Sequence, residues 1–223
     1  NYEFFTADEA APIAQWLAES LGIPAYVLKY RLLPDFGLPE MLEDFTAAVR
    51  TVRQRCGPGP VVTIGFSAGA HLSAAGCAAT GKDGASPPER PDAQVLVYPS
   101  LDASEWLDHK SAGFFRARVT SKQVRSLAEG PGGGKQMLVA GAEFVKPPPT
   151  FMVASTEDWV CWVQKHGDLY ANAARRAQAD LQYMRGPYGG HGFGLKDFWS
   201  KPCLKWLQGL GFGVVTAEAK KAM

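Results

Sequence analysis

A serine lies between two glycines in the run GFSAG at residues 65–69, directly after the β-branched run VVTI at residues 61–64. This is the pattern of a nucleophile elbow, in which a strand turns sharply into a helix and lifts the serine hydroxyl clear of the sheet. We expect Gly65 and Gly69 to be glycines because side chains there would collide across the turn. Ala68 is expected to offer its backbone N–H to the oxyanion that forms when Ser67 attacks a carbonyl.

A serine nucleophile needs a base, and in an elbow protein the histidine base comes last in the chain, after the acid. Of four histidines, only His191 lies late in the chain on a glycine-rich loop, GGHGFG at residues 189–194. That loop can arch over the sheet edge towards Ser67, although a glycine-rich turn with an incidental histidine is the alternative. His71 lies one turn into the helix that leaves the elbow, which predicts a packing or hydrogen-bonding role. His166 is expected at an exposed helix start.

The acid should follow a strand that lies between Ser67 and His191 in the chain. TFMVAS at residues 150–155 is such a strand, and Glu157 and Asp158 come directly after it. Asp158 is favoured because a short carboxylate at a strand end holds an imidazole with little freedom, and Glu157 is the local rival. The acid would fix the tautomer of the imidazole and stabilise the imidazolium without taking the proton itself.

Several segments along the chain resemble the α/β-hydrolase superfamily, and within it the acetylxylan-esterase-like carbohydrate esterases and lipases. The matching segments are VLKYRL at 27–32, GFSAG at 65–69 with His71 and Leu72, Tyr98-Pro99, PTF at 149–151 with Asp158, and GHGFGL at 190–195. The resemblance implies a serine hydrolase of carboxylic esters, including acetyl esters of carbohydrates, with Ser67, Asp158 and His191 as its triad. An amidase or peptidase using the same triad is an alternative. No metal or organic cofactor is needed for this chemistry.

The chain departs from that family at its beginning. Relatives carry a glycine-rich stretch after their third strand, which supplies a second oxyanion donor. This chain opens with NYEFF and no methionine, and these residues resemble the segment that follows the stretch. We therefore expect a chain that is N-terminally incomplete and lacks the N-terminal strands, or a catalytically impaired hydrolase-fold fragment that acts as a binding module.

Helical and strand patterns alternate along the chain, which predicts one α/β domain over residues 1–223 with a mostly parallel sheet and helices on both faces. Strands are expected at 23–30, 61–65, 93–98, 150–155 and 181–184, and the later helices at 162–179 and 198–210. Residues 100–146 are the least regular and are expected to form a cap over the site or an irregular insertion. The glycine run before Lys135 lacks the following serine or threonine of a phosphate loop, so nucleotide binding is rejected.

Composition narrows the class of partner. The 223 residues carry 23 basic and 22 acidic side chains, a net charge of +1, which does not indicate a nucleic-acid surface. No apolar run reaches membrane-spanning length. We therefore expect a small-molecule or carbohydrate ester as the partner, with Trp159, Tyr188 and Phe193 lining an aromatic substrate pocket. The four scattered cysteines are expected to be small buried hydrophobes, and the compartment and oligomeric state stay open.

Overall fold

The computed structural model describes residues 6–32, 35–78, 90–102 and 144–213. Its helices there are α1 Thr6–Glu9, α2 Ala11–Leu21, α3 Leu38–Cys56, α4 Ala68–Ala78, α5 Gly167–Arg176 and α6 Asp197–Gly209, and its strands are β1 Val62–Phe66, β2 Ala93–Val97, β3 Thr150–Ser155 and β4 Leu181–Gly186. Residues 103–143, most of the predicted insertion, lie outside the described residues, as do residues 1–5.

The four strands form one parallel sheet in the order β1-β2-β3-β4. Their register pairs Phe66 with Val97, Val97 with Val153, and Ser155 with Gly186. In a parallel sheet all strands end at the same edge, and open α/β sheets bind their ligands outside that edge. The residues that follow β1, β3 and β4 are therefore brought to one side of the molecule, which confirms the predicted parallel α/β arrangement.

The two central strands are buried along their whole length. On one face, Leu96 and Met152 pack with small residues of α4 and with residues of α5, a cluster made of Ala70, Ala74, Leu96, Leu101, Met152, Tyr170, Ala171 and Ala174. The alanines let α4 come close to the sheet. On its other side α4 packs on α3, where Gly76 faces the ring of Phe45 so closely that a Cβ at residue 76 would overlap it. This packing fixes the helix that begins directly after Ser67.

Contacts divide the chain into two compact units. One contains the described residues from Leu28 to Phe193 and so holds the whole sheet. The other contains α1, α2 and the residues from Gly194 onwards, with α6. Within this second unit the rings of Trp16 and Trp199 meet edge to face with centroids 5.5 Å apart, and Trp199 Nε1 donates to the carbonyl of Gly194 at 2.9 Å. The single domain over residues 1–223 stays a prediction.

The predicted strand at residues 23–30 is wrong: residues 23–32 take no regular structure. A strand needs a neighbour for its backbone hydrogen bonds, and among the described strands none pairs with this segment. Arg31 instead anchors the segment to α3, with its backbone N–H and its Nε both donating to the Asp44 carboxylate at 2.8 and 3.0 Å. The helix predicted at 162–179 is also shorter, since α5 begins at Gly167.

Three of the four cysteines are buried as predicted, but Cys56, the last residue of α3, is exposed, so the prediction is wrong there. None of the four, all of which are among the described residues, forms a disulfide. Within the described ranges, no helix has both the length and the apolar character that crossing a membrane requires.

Candidate active site

Ser67 occupies the turn between β1 and α4 with a φ of +49°. Non-glycine residues rarely adopt this left-handed conformation, which persists only where surrounding contacts hold it. The Ser67 N–H donates to the carbonyl of Val97 at 3.0 Å, and the Ser67 carbonyl accepts from Ala70 and His71 at 3.1 and 3.3 Å. The strained turn is therefore fixed by the neighbouring strand on one side and by the first turn of α4 on the other.

The two glycines of the elbow differ in what they face. A Cβ on Gly65 would lie 2.6 Å from the Cα of Ala70 and collide with the backbone of Gly69. Only glycine fits at residue 65. A Cβ on Gly69 itself would meet none of the described atoms within 4 Å, so the predicted steric need for glycine at residue 69 is wrong.

The structure brings Ser67, His191 and Asp158 into one hydrogen-bonded series. Ser67 Oγ lies 2.8 Å from Nε2 of His191, and Nδ1 of His191 lies 2.7 Å from Oδ2 of Asp158. The side chain of Asp158 is 2% exposed and that of His191 is 17% exposed. Ser67 follows β1, Asp158 follows β3 and His191 follows β4. The serine hydroxyl can thus pass its proton to an imidazole that a nearly buried carboxylate holds from behind.

A local turn sets the orientation of Asp158. Its Oδ1 accepts the backbone N–H groups of Val160 and Cys161 at 2.9 and 2.8 Å. Because Oδ1 is occupied in this way, Oδ2 faces the imidazole. The rival carboxylate, Glu157, points elsewhere: its Oε2 accepts the backbone N–H of Gly189 at 2.8 Å.

Tyr98 supports the histidine from the end of β2, a role that sequence reasoning missed. Its ring meets that of His191 edge-on with centroids 5.2 Å apart, and that of Phe193 at 4.6 Å. Tyr98 is 1% exposed and, like Ser67, has a positive φ, of +36°. The only sequence signal was an aromatic residue before Pro99 at a strand end, which does not specify a partner.

The other residues predicted for the site lie on the surrounding turns. Ala68 is the first residue of α4, where backbone N–H groups have no acceptor within the helix. Trp159 is 69% exposed, and its Nε1 would lie 3.6 Å from a Cβ built on Gly190, beside His191. The ring of Tyr188 closes over Gly186, where a Cβ would lie 2.8 Å from it.

Two further histidines lie buried beneath the elbow. His71 is 4% exposed, and burial, followed by the nearby charge of His166, lowers the pKa of its imidazole from 6.5 to about 4. His166 is 1% exposed, so its predicted exposure is wrong. Its Nδ1 accepts the backbone N–H groups of Leu101 and Asp102 at 3.0 and 2.9 Å. A ring nitrogen that accepts carries no proton, so this arrangement leaves Nε2 as the protonated nitrogen of His166.

One group of side chains in the described residues has the composition of a metal site. Asp158, Cys161 and His191 offer a carboxylate oxygen, a thiol sulfur and a ring nitrogen within 4.8 Å of one another. In this arrangement His191 Nδ1 and Asp158 Oδ2 are bonded to each other at 2.7 Å. A cation would therefore have to compete with the hydrogen bond that orients the imidazole.

A family model described as the alpha/beta hydrolase fold matches residues 3–195. The chain belongs to this family. The match spans all four strands and the Ser67, Asp158 and His191 series, and it confirms the fold and the superfamily that the sequence motifs predicted.

Two curated proteins are similar to this hydrolase-family chain. An acetylxylan esterase from Xylanibacter ruminicola is 28% identical over 220 residues, which cover 96% of this chain and 43% of that protein. An acetyl-hydrolase from Streptomyces hygroscopicus is 33% identical over 115 residues, which cover 51% of this chain and 38% of that protein. The chain thus spans less than half the length of each of these relatives.

Solved structures show the same fold. An acetyl ester-xyloside bifunctional hydrolase from Caldicellulosiruptor lactoaceticus is 27% identical with a TM-score of 0.66, covering 90% of this chain and 76% of that one. A carboxylesterase from Lactobacillus plantarum is 20% identical with a TM-score of 0.68, covering 92% and 80% of the two chains. At 20% identity, the similarity to this carboxylesterase shows the fold alone.

Proposed function

We propose that this member of the alpha/beta hydrolase family hydrolyses carboxylic esters through an acyl-enzyme. The observation that carries the proposal is the hydrogen-bonded series from Ser67 through His191 to Asp158, with distances of 2.8 and 2.7 Å. A nucleophile, a base and an orienting acid in this geometry are what acyl transfer requires. The similarity to enzymes named acetylxylan esterase and acetyl-hydrolase supports the same reaction class.

In the first half of the reaction, Ser67 Oγ attacks the ester carbonyl carbon while its proton moves to Nε2 of His191. Asp158 stabilises the resulting imidazolium through the bond at Nδ1. The tetrahedral intermediate then collapses, the bond to the alcohol breaks, and His191 gives its proton to the leaving oxygen. In the second half, His191 takes a proton from water, the hydroxide attacks the acyl carbon, and the acid leaves as Ser67 regains its proton.

Charge on the carbonyl oxygen has to be stabilised during both attacks. Ala68 is the proposed donor, because its N–H belongs to the first turn of α4, where the helix dipole also favours negative charge. Sequence reasoning expected the glycine-rich stretch that supplies a second donor in relatives to be missing ahead of NYEFF, and residues 1–5 lie outside the described residues.

We propose acetyl esters of carbohydrates as the substrate class. Trp159 follows Asp158 directly, lies along the turn that carries His191, and is 69% exposed. Trp162, 42% exposed, donates from Nε1 to the carbonyl of Trp159 at 3.1 Å. Exposed indole rings beside the reacting groups suit the apolar face of a sugar, which would belong to the alcohol that leaves.

A covalent probe tests the reaction class. We expect a fluorophosphonate to label Ser67 in the folded protein, Ser67→Ala to abolish labelling, and Ser73→Ala, on the same helix, to retain it. Short p-nitrophenyl esters and the matching anilides would then measure ester hydrolysis against the amidase alternative. A folded chain in which Ser67 stays unlabelled would contradict the proposal and favour the binding module.

Removal of the exposed indole tests the substrate class. Trp159→Ala should raise KM for acetylated xylo-oligosaccharides by roughly tenfold. This is the change expected from losing one aromatic contact that contributes about 1.4 kcal/mol to binding. KM for p-nitrophenyl acetate, which has no sugar, should stay within twofold. An equal change for both esters would contradict a role in sugar binding.

A further inference from the structure

Ser155 joins the turn that carries Asp158 to the turn that carries His191. It is the last residue of β3 and is fully buried. Its Oγ accepts the backbone N–H of Glu157 and the backbone N–H of Tyr188, both at 3.1 Å. One buried oxygen therefore holds the segment before Asp158 and the segment before His191.

Glu157 makes a second connection between the same two turns. Its Oε2 accepts the backbone N–H of Gly189 at 2.8 Å. Gly189 has a φ of +94° and lies two residues before His191. A backbone bond from Thr156 N–H to the carbonyl of Gly186, at 2.8 Å, lies between the sheet and these two side-chain contacts. The end of β4 and the segment after it are thus attached at three points, Gly186, Tyr188 and Gly189.

We propose that Ser155 and Glu157 form a clasp that positions the imidazole of His191 against Asp158 and Ser67. The clasp is defined as these two side chains and the N–H groups that they accept. Among the described hydrogen bonds, those of Ser155 and Glu157 go to backbone N–H groups and not to the imidazole, so both are positioning residues. The inference rests on the proposed ester hydrolysis.

The sequence of the turn explains why such a clasp is needed. Gly189, Gly190 and Gly192 surround His191, and two of them have positive φ values of +94° and +81°. Glycine loses more backbone conformational freedom than any other residue when a segment becomes ordered. Since a reacting group displaced by about 1 Å can cost roughly 100-fold in rate, a glycine-rich turn needs fixed contacts to hold His191 at 2.8 Å from Ser67.

The two contacts of the clasp differ in strength and in exposure. Glu157 accepts the backbone N–H with a carboxylate, and a charged acceptor makes a stronger hydrogen bond than a neutral one does. Glu157 is exposed, whereas Ser155 is buried within the strand. A change at Glu157 therefore loosens the turn without disturbing the core, which makes this residue the better test.

The kinetic experiment compares Glu157→Ala with Glu157→Gln in the full chain. We expect Glu157→Ala to lower kcat on p-nitrophenyl acetate about tenfold with KM within twofold, because a loosened base affects proton transfer rather than binding. Glu157→Gln retains a carbonyl acceptor and should restore kcat to within about threefold of the wild type. Glu19→Ala removes an exposed glutamate in α2 that accepts from Gln15, and is the control for the change in charge.

Hydrogen–deuterium exchange of the peptide spanning residues 187–193 gives a readout that does not depend on activity. Exchange should be faster in Glu157→Ala than in wild type, and unchanged in Glu19→Ala. Ser155→Ala, which removes an acceptor from both turns, should speed exchange in the same peptide, provided its thermal unfolding stays cooperative.

The outcomes separate this inference from the proposed function. An active wild type whose kcat and exchange are the same in Glu157→Ala overturns the clasp and leaves ester hydrolysis standing. A wild type without activity on any ester overturns the proposed function, and exchange alone then decides the clasp: unchanged exchange in Glu157→Ala would overturn it as well.

Discussion

Stability should fall in mild acid because of one buried histidine. His71, in α4 one turn after Ser67, is 4% exposed, and burial lowers the pKa of its imidazole from 6.5 to about 4. The imidazole therefore becomes protonated below about pH 6.5 in the unfolded chain, but only below about pH 4 in the folded chain. Since the folded pKa is the lower one, the free energy of unfolding is undiminished above pH 6.5 and decreases as pH falls towards 4.

The size of the effect follows from the two pKa values. Lowering a pKa from 6.5 to about 4 corresponds to about 3 kcal/mol, because each tenfold change in an acid constant is about 1.4 kcal/mol. Most of this, about 2–3 kcal/mol, should be lost from the free energy of unfolding between pH 7.5 and pH 4.5. That is a large part of the roughly 5–15 kcal/mol that stabilises an ordinary domain.

Urea unfolding of the wild type and His71→Gln at the two pH values measures this loss. The variant has no imidazole to take up the proton, so only the wild type should lose this stability. The difference between their free energies of unfolding should therefore change by about 2–3 kcal/mol between pH 7.5 and pH 4.5. Ser73→Ala, a neighbour on α4 without a titrating group, should keep a constant difference from the wild type. A constant difference for His71→Gln as well would refute the argument that burial keeps this ring neutral.

Two further predictions concern Asp158 and the glycines of the elbow. Asp158→Asn keeps an oxygen that can accept the N–H groups of the turn, but it presents an amide to His191. We expect kcat to fall by about 10³- to 10⁴-fold and the melting temperature to stay unchanged. A loss of kcat below tenfold would contradict the orienting role. Gly65→Ala should destabilise the protein by about 1–3 kcal/mol or more, because the added Cβ forces the elbow to shift. Gly69→Ala should stay within about 1 kcal/mol of the wild type. Thermal unfolding compares the two variants, and equal losses of stability would contradict the contacts described.

The parts of the fold that could be predicted from sequence are those that depend on local pattern. The apolar runs that became β1, β2 and β3 are short and β-branched, and parallel strands necessarily end at one edge. That rule alone explains why residues 67, 158 and 191 come together. Their catalytic roles stay a prediction, and the distances between them are those of hydrogen bonds.

The choice between adjacent carboxylates could not be made from composition. Asp158 faces His191 because the N–H groups of Val160 and Cys161 occupy its other oxygen, and Glu157 reaches Gly189 because its longer side chain spans to the next turn. Both facts depend on the backbone path after β3. A sequence gives the two acids in order but not the direction in which each one points.

The predictions of an exposed His166 and of a strand at residues 23–30 were wrong for a different reason. A histidine before a helix is exposed unless the chain supplies buried partners, and here the partners are backbone N–H groups 64 and 65 residues earlier in the chain. An extended apolar segment becomes a strand only beside another strand. Both outcomes depend on distant residues, which local propensity does not contain.

The bond between Ser67 and His191 closes a separation of 124 residues. A chain emerging from the ribosome therefore exposes its serine long before the imidazole that would activate it has been made. On the proposed mechanism, Ser67 stays an ordinary alcohol until β4 joins the sheet and brings His191 beside it. Reactivity and completion of the sheet would then arrive in the same step.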